Sequence, residues 1–386
     1  MALDAANRGS VSSGSTPSVK DDRQSQASSA NGSFYLRHGR RYLRDLPYPL
    51  PCDLPEMQRQ NLHTLVATTV FGKPLCSPVL HEHPPKKVLE IACGSAYWSS
   101  LCNDYFLSLG YIGVQFTGLD IVQLAPDLRK EGMDWRFVQH DLRRIPLPFD
   151  DGEFDVVMAK DLSLAVPRGT PSQRLTDECI RICKPGGIIE TWESDHIIRS
   201  LLPHPPPSIG KREEDHERAV ATGTFLVFPG TPFANPQNKY IQDCNGWIAE
   251  ALDRRKLQST PCARVAQVLL QEETLGDVGY RRVAVPLGDL RWERDGSDRE
   301  PPGRKISRSR KSKDGVSDEQ AALRSTALLV VIQMIESLEP ILKEVSGKNQ
   351  EEWQRWWAWM MADLLENRGA SAGECMEMGA WWAKKL

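Results

Sequence analysis

The sequence predicts an α/β chain built on a doubly wound, mostly parallel sheet. Short apolar strands alternate with helical stretches between Lys87 and Glu193. The first strand runs straight into a turn of small residues, and polar residues close the strands after it. Strands separated by helices pair in parallel through right-handed crossovers, which puts helices on both faces of the sheet. With 386 residues, 40% of them hydrophobic and 26% charged, the chain has room for one large domain or two modest ones.

The elements follow in order. Residues 1–33 are Ser, Asn, Gly, Gln and Asp with little to bury, and read as a disordered tail. Residues 34–80 form an N-terminal cap segment before a domain spanning 81–386. KVLEIA (Lys87 to Ala92) is the first strand of that domain, followed by a helix from Trp98 to Leu109. VQFTGLD (Val114 to Asp120), WRFVQHD (Trp135 to Asp141) and FDVVMA (Phe154 to Ala159) are the next three strands. A helix from Ser172 to Cys183 stops at Lys184-Pro185-Gly186-Gly187, and GIIETWE (Gly187 to Glu193) is the fifth strand. YRRVAVP (Tyr280 to Pro286) is another. Helices are expected over Lys239 to Leu257, Ala263 to Leu275, Glu319 to Val345 and Glu351 to Asn367. Residues 293–318 read as a flexible basic insertion and 319–372 as a helical insertion. GAWWAKKL at the end is read as the antiparallel edge strand that completes the sheet.

Charge and cysteine usage exclude several classes. The net charge of −3 argues against direct nucleic-acid binding. Nine cysteines are too few for a disulfide scaffold in a chain this long, so reduced thiols are expected. No apolar run approaches a membrane span, and the N-terminus lacks the pattern of a secretory signal. The expected location is the cytoplasm, or the nucleus if the run Arg304 to Lys313 acts as an import signal; a solvated linker has the same composition.

In an open α/β sheet, ligands sit beyond the carboxyl ends of the strands. Glu90 lies near the end of the first strand, before the tight turn Ala92-Cys93-Gly94-Ser95-Ala96, whose small residues let backbone N–H groups approach a ligand. Asp120 ends the second strand, where a carboxylate can accept both hydroxyls of a ribose. Asp141 ends the third, where it can accept from the exocyclic amine of a purine. The G-x-G-x-x-G spacing of nicotinamide enzymes is missing, and Glu90 would oppose a pyrophosphate while suiting an ammonium group. S-adenosylmethionine has that ammonium, a ribose and an adenine, and no phosphate.

VLEIACGSAYW, GLD, FVQHDLRRIPLPFDDGEFDVVMAKD and ICKPGGIIETWE occur in that order, and together they resemble the class I S-adenosylmethionine-dependent methyltransferases, the type-11 group in particular. HGRRYLRD…YPLPCDLPEMQRQNLHTL is similar to the entry region of the fungal LaeA-like (TAM-domain, UMTA-like) methyltransferases. The resemblance implies a seven-stranded Rossmann-like methyltransferase sheet and S-adenosyl-L-methionine as cofactor. The acceptor it implies is a small molecule or a protein side chain, in fungal secondary metabolism.

It also implies cofactor contacts from Tyr42, Glu90, Ala92, Gly94, Asp120, Ile121, Asp141, Leu142 and Lys160. Lys160 and Asp161 fall where such enzymes present residues to methyl and acceptor, although Asp161 also suits a helix cap. His196, after the fifth strand, is a candidate general base, with an exposed loop histidine as the plainer reading. Two of the family's turn glycines are Ala92 and Ala96 here, and alanine resists φ > 0. Those alanines and a tryptophan-rich C-terminal third leave a second reading open: a regulatory or scaffold protein that keeps the fold for partner binding. Core packing is the default role for Trp353, Trp356, Trp357 and Trp359. No metal is expected, since Cys179 and Cys183 have no matching second pair and read as core thiols.

Overall fold

The computed structural model describes residues 34–44, 46–78, 84–203, 213–294 and 316–386. The expected tail and the basic run Arg304 to Lys313 lie outside the described residues.

The central parallel strands are β3 (Lys87–Ile91), β4 (Gln115–Asp120), β5 (Trp135–Gln139), β6 (Phe154–Lys160) and β7 (Cys183–Ser194). They lie in the order β5-β4-β3-β6-β7, so the chain winds outward from β3 in both directions. Two long strands follow on the β7 side, β11 (Leu275–Pro286) and β12 (Glu374–Lys385). β12 is antiparallel to both of its neighbours. The final strand is therefore not the edge that the sequence suggested. It lies between β7 and β11 and is buried along nearly its whole length, which suits a segment as apolar as ECMEMGAWWA. Short strands β8 (Arg199–Leu201), β9 (Phe225–Leu226) and β10 (Phe233–Ala234) extend this end, giving ten strands rather than seven.

Alternate strand residues feed two cores. Val88, Phe116, Val156, Met158 and Ile188 face a layer with helices α1 (Leu54–Phe71), α2 (Tyr97–Ser108) and α5 (Lys239–Arg254). Leu89, Ile91, Leu119, Val157 and Ile189 face the other layer, with α3 (Thr170–Ile182) and α6 (Val265–Gln271). A helix α4 (Glu213–Thr222) and a single helical turn α7 (Arg291–Arg294) lie outside this frame. Nearly every position of β3, β4 and β6 is buried, so these inner strands read as continuous apolar runs, whereas the edge strand β5 buries only Trp135.

Before the sheet, β1 (Phe34–Arg37) and β2 (Arg40–Leu43) form a hairpin. α1 then starts at Asp53, whose side chain accepts from the Glu56 N–H. Between β11 and β12 come α8 (Asp318–Ser337), α9 (Glu339–Ser346) and α10 (Gln350–Met361). The single helix expected over Glu319 to Val345 is instead two, bent by 66°. Pro340 lacks an N–H and clashes with the preceding turn, so the first helix ends before it. α10 buries Trp353, Trp356 and Met360, the turn after it buries Leu364, and Trp353 and Trp356 pack on Trp247. Of the four tryptophans expected in the core, Trp353 and Trp356 are buried and Trp357 half-buried, while Trp359 is exposed. Among the described residues, no single helix is long and apolar enough to cross a membrane.

Candidate active site

A cavity of about 1400 Å³, counting its open mouth, lies over the carboxyl ends of β3 to β7. Its roof is Leu43 and the segment from Leu46 to His63, joined by Val330, Val331 and Met334 of α8. Seven of the nine cofactor contacts expected from the sequence line it: Ala92, Gly94, Asp120, Ile121, Asp141, Leu142 and Lys160. So do Asp161 and His196.

The small-residue turn after β3 takes the conformation that glycines would give it. Ala92, Gly94 and Ala96 have φ of 54°, 51° and 58°. The left-handed region costs a non-glycine residue about 1–2 kcal/mol, so the turn is built against the preference of both alanines. Two carboxylates support it. Asp120 accepts from the Gly94 N–H (2.8 Å) with one oxygen and from the Ile121 N–H (2.7 Å) with the other. Burial nevertheless raises its proton affinity.

Glu90 points away from the cavity, contrary to the sequence expectation. It is 1% exposed and accepts from the Ser99 hydroxyl (2.6 Å) and Ser99 N–H (3.2 Å). Ala96, which starts α2, has no side chain to cap it, and Glu90 reaches across to do so. Burial pushes its carboxyl up to about 7.

Tyr42 is also corrected. Its ring is buried, and its hydroxyl donates to the Ser337 carbonyl (3.1 Å) under α8, outside the cavity lining. Asp141 does line the cavity, but Arg143 holds both its oxygens at 2.8–2.9 Å. This guanidinium keeps the Asp141 carboxyl below its ordinary range. It fills the position where a purine amine was expected to donate.

At the ends of β6 and β7 the side chains form a connected set. Lys160 Nζ donates to Asp161 at 2.8 Å, and His63 Nδ1 lies 3.3 Å from the same oxygen. Burial disfavours charge on both members of the Lys160–Asp161 pair. Each charge outweighs that for the other: the Lys160 ammonium is raised and Asp161, helped by His63, falls well below the usual carboxylate range. His63 Nε2 meets Ser194 Oγ at 2.9 Å.

His196 is not on an exposed loop. It is 7% exposed, its Nε2 lies 3.0 Å from Ser163 Oγ, and burial lowers it to about 4. Ser163 Oγ also lies 2.7 Å from Glu193, whose carboxyl burial raises to about 8. On the roof, Arg59 donates to Glu56 at 2.7–3.1 Å, a buried pair steadied by the Ser337 hydroxyl. Sequence reasoning missed His63, Arg59, Ser163 and Glu193. Position just after β6 could have flagged Ser163, and position at the end of the expected fifth strand Glu193; nothing local marks the two residues on α1.

Asp195, Cys262 and Glu377 are the three potential metal ligands that lie together among the described residues. Arg199 already pairs with both carboxylates and Arg282 with Glu377, and burial keeps the Cys262 thiol protonated. The group is a neutralised ion cluster that does not suit a cation.

Comparison with known proteins agrees with this layout. Residues 88–187 match the family model described as a methyltransferase domain. A phthiotriol/phenolphthiotriol dimycocerosates methyltransferase of Mycobacterium tuberculosis is 31% identical over 173 residues, covering 40% of this chain and 56% of its own. The corresponding Mycobacterium ulcerans enzyme is 28% identical over 170 residues, covering 40% and 55%. The chain thus spans about half the length of the curated relatives it matches. Solved structures include a Haemonchus contortus N-methyltransferase (12% identity, 89% of this chain and 61% of the other, TM-score 0.37). Another is an O-methyltransferase family protein from Burkholderia thailandensis (14% identity, 36% and 39%, TM-score 0.28). Both likenesses are too distant to bear on function. Over residues 88–187 the chain matches methyltransferase domains in sequence, and its mostly parallel, doubly wound sheet is of Rossmann-like type.

Proposed function

We propose that the protein transfers a methyl group from S-adenosylmethionine to an acceptor bound in the same cavity. One observation carries this reading: the strand-end turn, the carboxylate after β4 and an apolar chamber under α8 open into one continuous space. The residues present suit the cofactor. A Cβ added at Gly94 would come within 3.0 Å of Gln60 Oε1, so backbone and roof approach closely there. Asp120 presents a carboxylate where a ribose would lie, Ile121 and Leu142 offer apolar walls for a base, and the cations among the described lining residues, Arg59, Arg143 and Lys160, are each paired with a carboxylate. When bound, the cofactor supplies a methyl group already activated by its positive sulfur.

The chain's own residues then bind, orient and exclude water. The Arg59–Glu56 pair and the hairpin-to-α1 segment close the roof. The Lys160–Asp161–His63 set fixes the polar floor between cofactor and acceptor. An open chamber lined by such groups counts against a fold kept only for partner binding. The resemblance of the HGRRYLRD region to LaeA-like proteins supports a small-molecule acceptor of secondary metabolism, and nine free cysteines support a reducing compartment, cytoplasm or nucleus. Calorimetric titration tests the reading: S-adenosylhomocysteine is expected to bind and NADH to give no heat. Binding of NADH alone would overturn it.

A further inference from the structure

We infer that His196 takes a hydroxyl proton from the acceptor and passes it through Ser163 to Glu193, so that the acceptor is an apolar molecule methylated on oxygen. This deepens the methyl-transfer reading and rests on it.

The relay is built from three side chains. Glu193 Oε1 accepts from the Ser163 N–H at 3.0 Å, and its Oε2 lies 2.7 Å from Ser163 Oγ. The same hydroxyl lies 3.0 Å from His196 Nε2. Nδ1 of His196 has no hydrogen-bond partner among the described residues, and it is not among the polar atoms sealed away without one. The ring lines the cavity, which leaves Nδ1 on the cavity side. A base held by a second group that is itself held by a third is the arrangement that proton abstraction needs.

The proton affinities fit a relay better than an isolated histidine. Burial leaves His196 at about 4, too weak to hold a hydroxyl proton by itself. Burial, with the charge of Asp161, raises Glu193 to about 8, much nearer to a phenol or enol. The other groups bearing on the relay are Arg59 and His63 from α1, Lys160 paired with Asp161, and the Cys262 thiol, which donates to the Glu193 carbonyl.

With Glu193 ionised, its partner is the Ser163 O–H, Ser163 accepts from His196 Nε2–H, and Nδ1 offers a lone pair. The acceptor O–H then breaks and its proton goes to Nδ1. The Nε2 proton moves to Ser163 Oγ and the serine proton to Glu193 Oε2, so both ends finish neutral. The acceptor oxygen's freed electron pair bonds the donated methyl carbon, and the carbon–sulfur pair returns to sulfur, leaving a neutral thioether.

The chamber selects the acceptor. Leu43, Leu50, Met57, Val331, Met334 and Met376 line it, so a charged ammonium or carboxylate pays desolvation on entry. A neutral amine enters with its lone pair already available and needs no base before transfer. A neutral hydroxyl enters protonated and does need one.

The test has two arms. In the first, NMR of nitrogen-labelled histidine follows the His196 tautomer in the full chain without acceptor. It should switch from Nδ1–H to Nε2–H as pH rises through about 8, and the switch should vanish in Glu193→Gln and Ser163→Ala. A wild-type tautomer that stays constant overturns the relay. In the second arm, naphthol and the matching naphthylamine serve as probe acceptors. Naphthol should be methylated with a rate that rises through the same pH. Glu193→Gln should remove that rise and lower kcat roughly a hundredfold or more with little change in KM. Faster methylation of naphthylamine, or unchanged naphthol turnover in His196→Asn, overturns the acceptor class. Failure to bind S-adenosylhomocysteine would sink the methyl-transfer reading separately, because the tautomer switch needs no cofactor. That switch also decides the relay where neither probe turns over.

Discussion

Glu90→Gln separates a ligand contact from a structural cap. The Glu90 side chain is sealed beneath the turn, with both Ser99 donors aimed at a single oxygen. A glutamine carbonyl can accept both, so the cap on α2 survives the substitution. What disappears is a buried titration. Burial raises Glu90 from 4.5 to about 7, against the opposing pull of Ser99. At about 1.4 kcal/mol for each tenfold change in proton affinity, that is roughly 3 kcal/mol. The folded state binds the proton more tightly than the unfolded state. Wild-type stability from this group is therefore complete below about pH 4.5 and is lost as pH rises towards about 7. Glutamine does not titrate and escapes the loss. Urea titrations at acidic and at mildly alkaline pH should show wild type and variant nearly equal in acid, with the variant ahead by about 2–3 kcal/mol above pH 7. S-adenosylhomocysteine affinity should change less than fivefold, since Glu90 does not face the cavity. Equal stability differences at both pH values, or a large loss of affinity, would falsify the cap.

Three other substitutions, two of them with a matched control, test the site and its support. Asp120→Ala should weaken S-adenosylhomocysteine at least tenfold by calorimetry. It should also lower stability by about 2–4 kcal/mol, because the Gly94 and Ile121 amides lose a charged acceptor. The half-exposed Asp127, paired with Arg129, is the control, and its alanine variant should bind normally. Ala92→Gly relieves a left-handed alanine at about 1–2 kcal/mol, less about 0.5–1 kcal/mol for glycine's freedom in the unfolded chain. The melting temperature should hold or rise, and a clear fall would show that the methyl group packs. Trp356→Ala should cost about 3–5 kcal/mol, since the ring packs on Trp247 and Trp353 and donates to Asp243. Trp359→Ala, at an exposed site, should stay within about 0.5 kcal/mol. Near-equal stability of the two variants would mean that the inward face of α10 has been assigned wrongly.

The five parallel strands in their chain sequence, the turn after β3 and the carboxylates at the strand ends were legible in the sequence. Each is a local property: an apolar run must be buried, a turn needs small residues, and a polar residue ends a run where the strand leaves the core. Where those side chains point was not legible. Glu90 sits one residue before Ile91 in the same strand as the turn, yet the uncapped start of α2 draws it inward. Tyr42 is drawn away from the cavity by a carbonyl at the end of α8, 295 residues along the chain. His63 and Ser194 are 131 residues apart and meet at 2.9 Å only because α1 folds across the ends of β6 and β7. Such contacts depend on how whole helices pack over the sheet. That packing is settled by burial summed over many distant residues, and no window of sequence around His63 or Arg59 carries it.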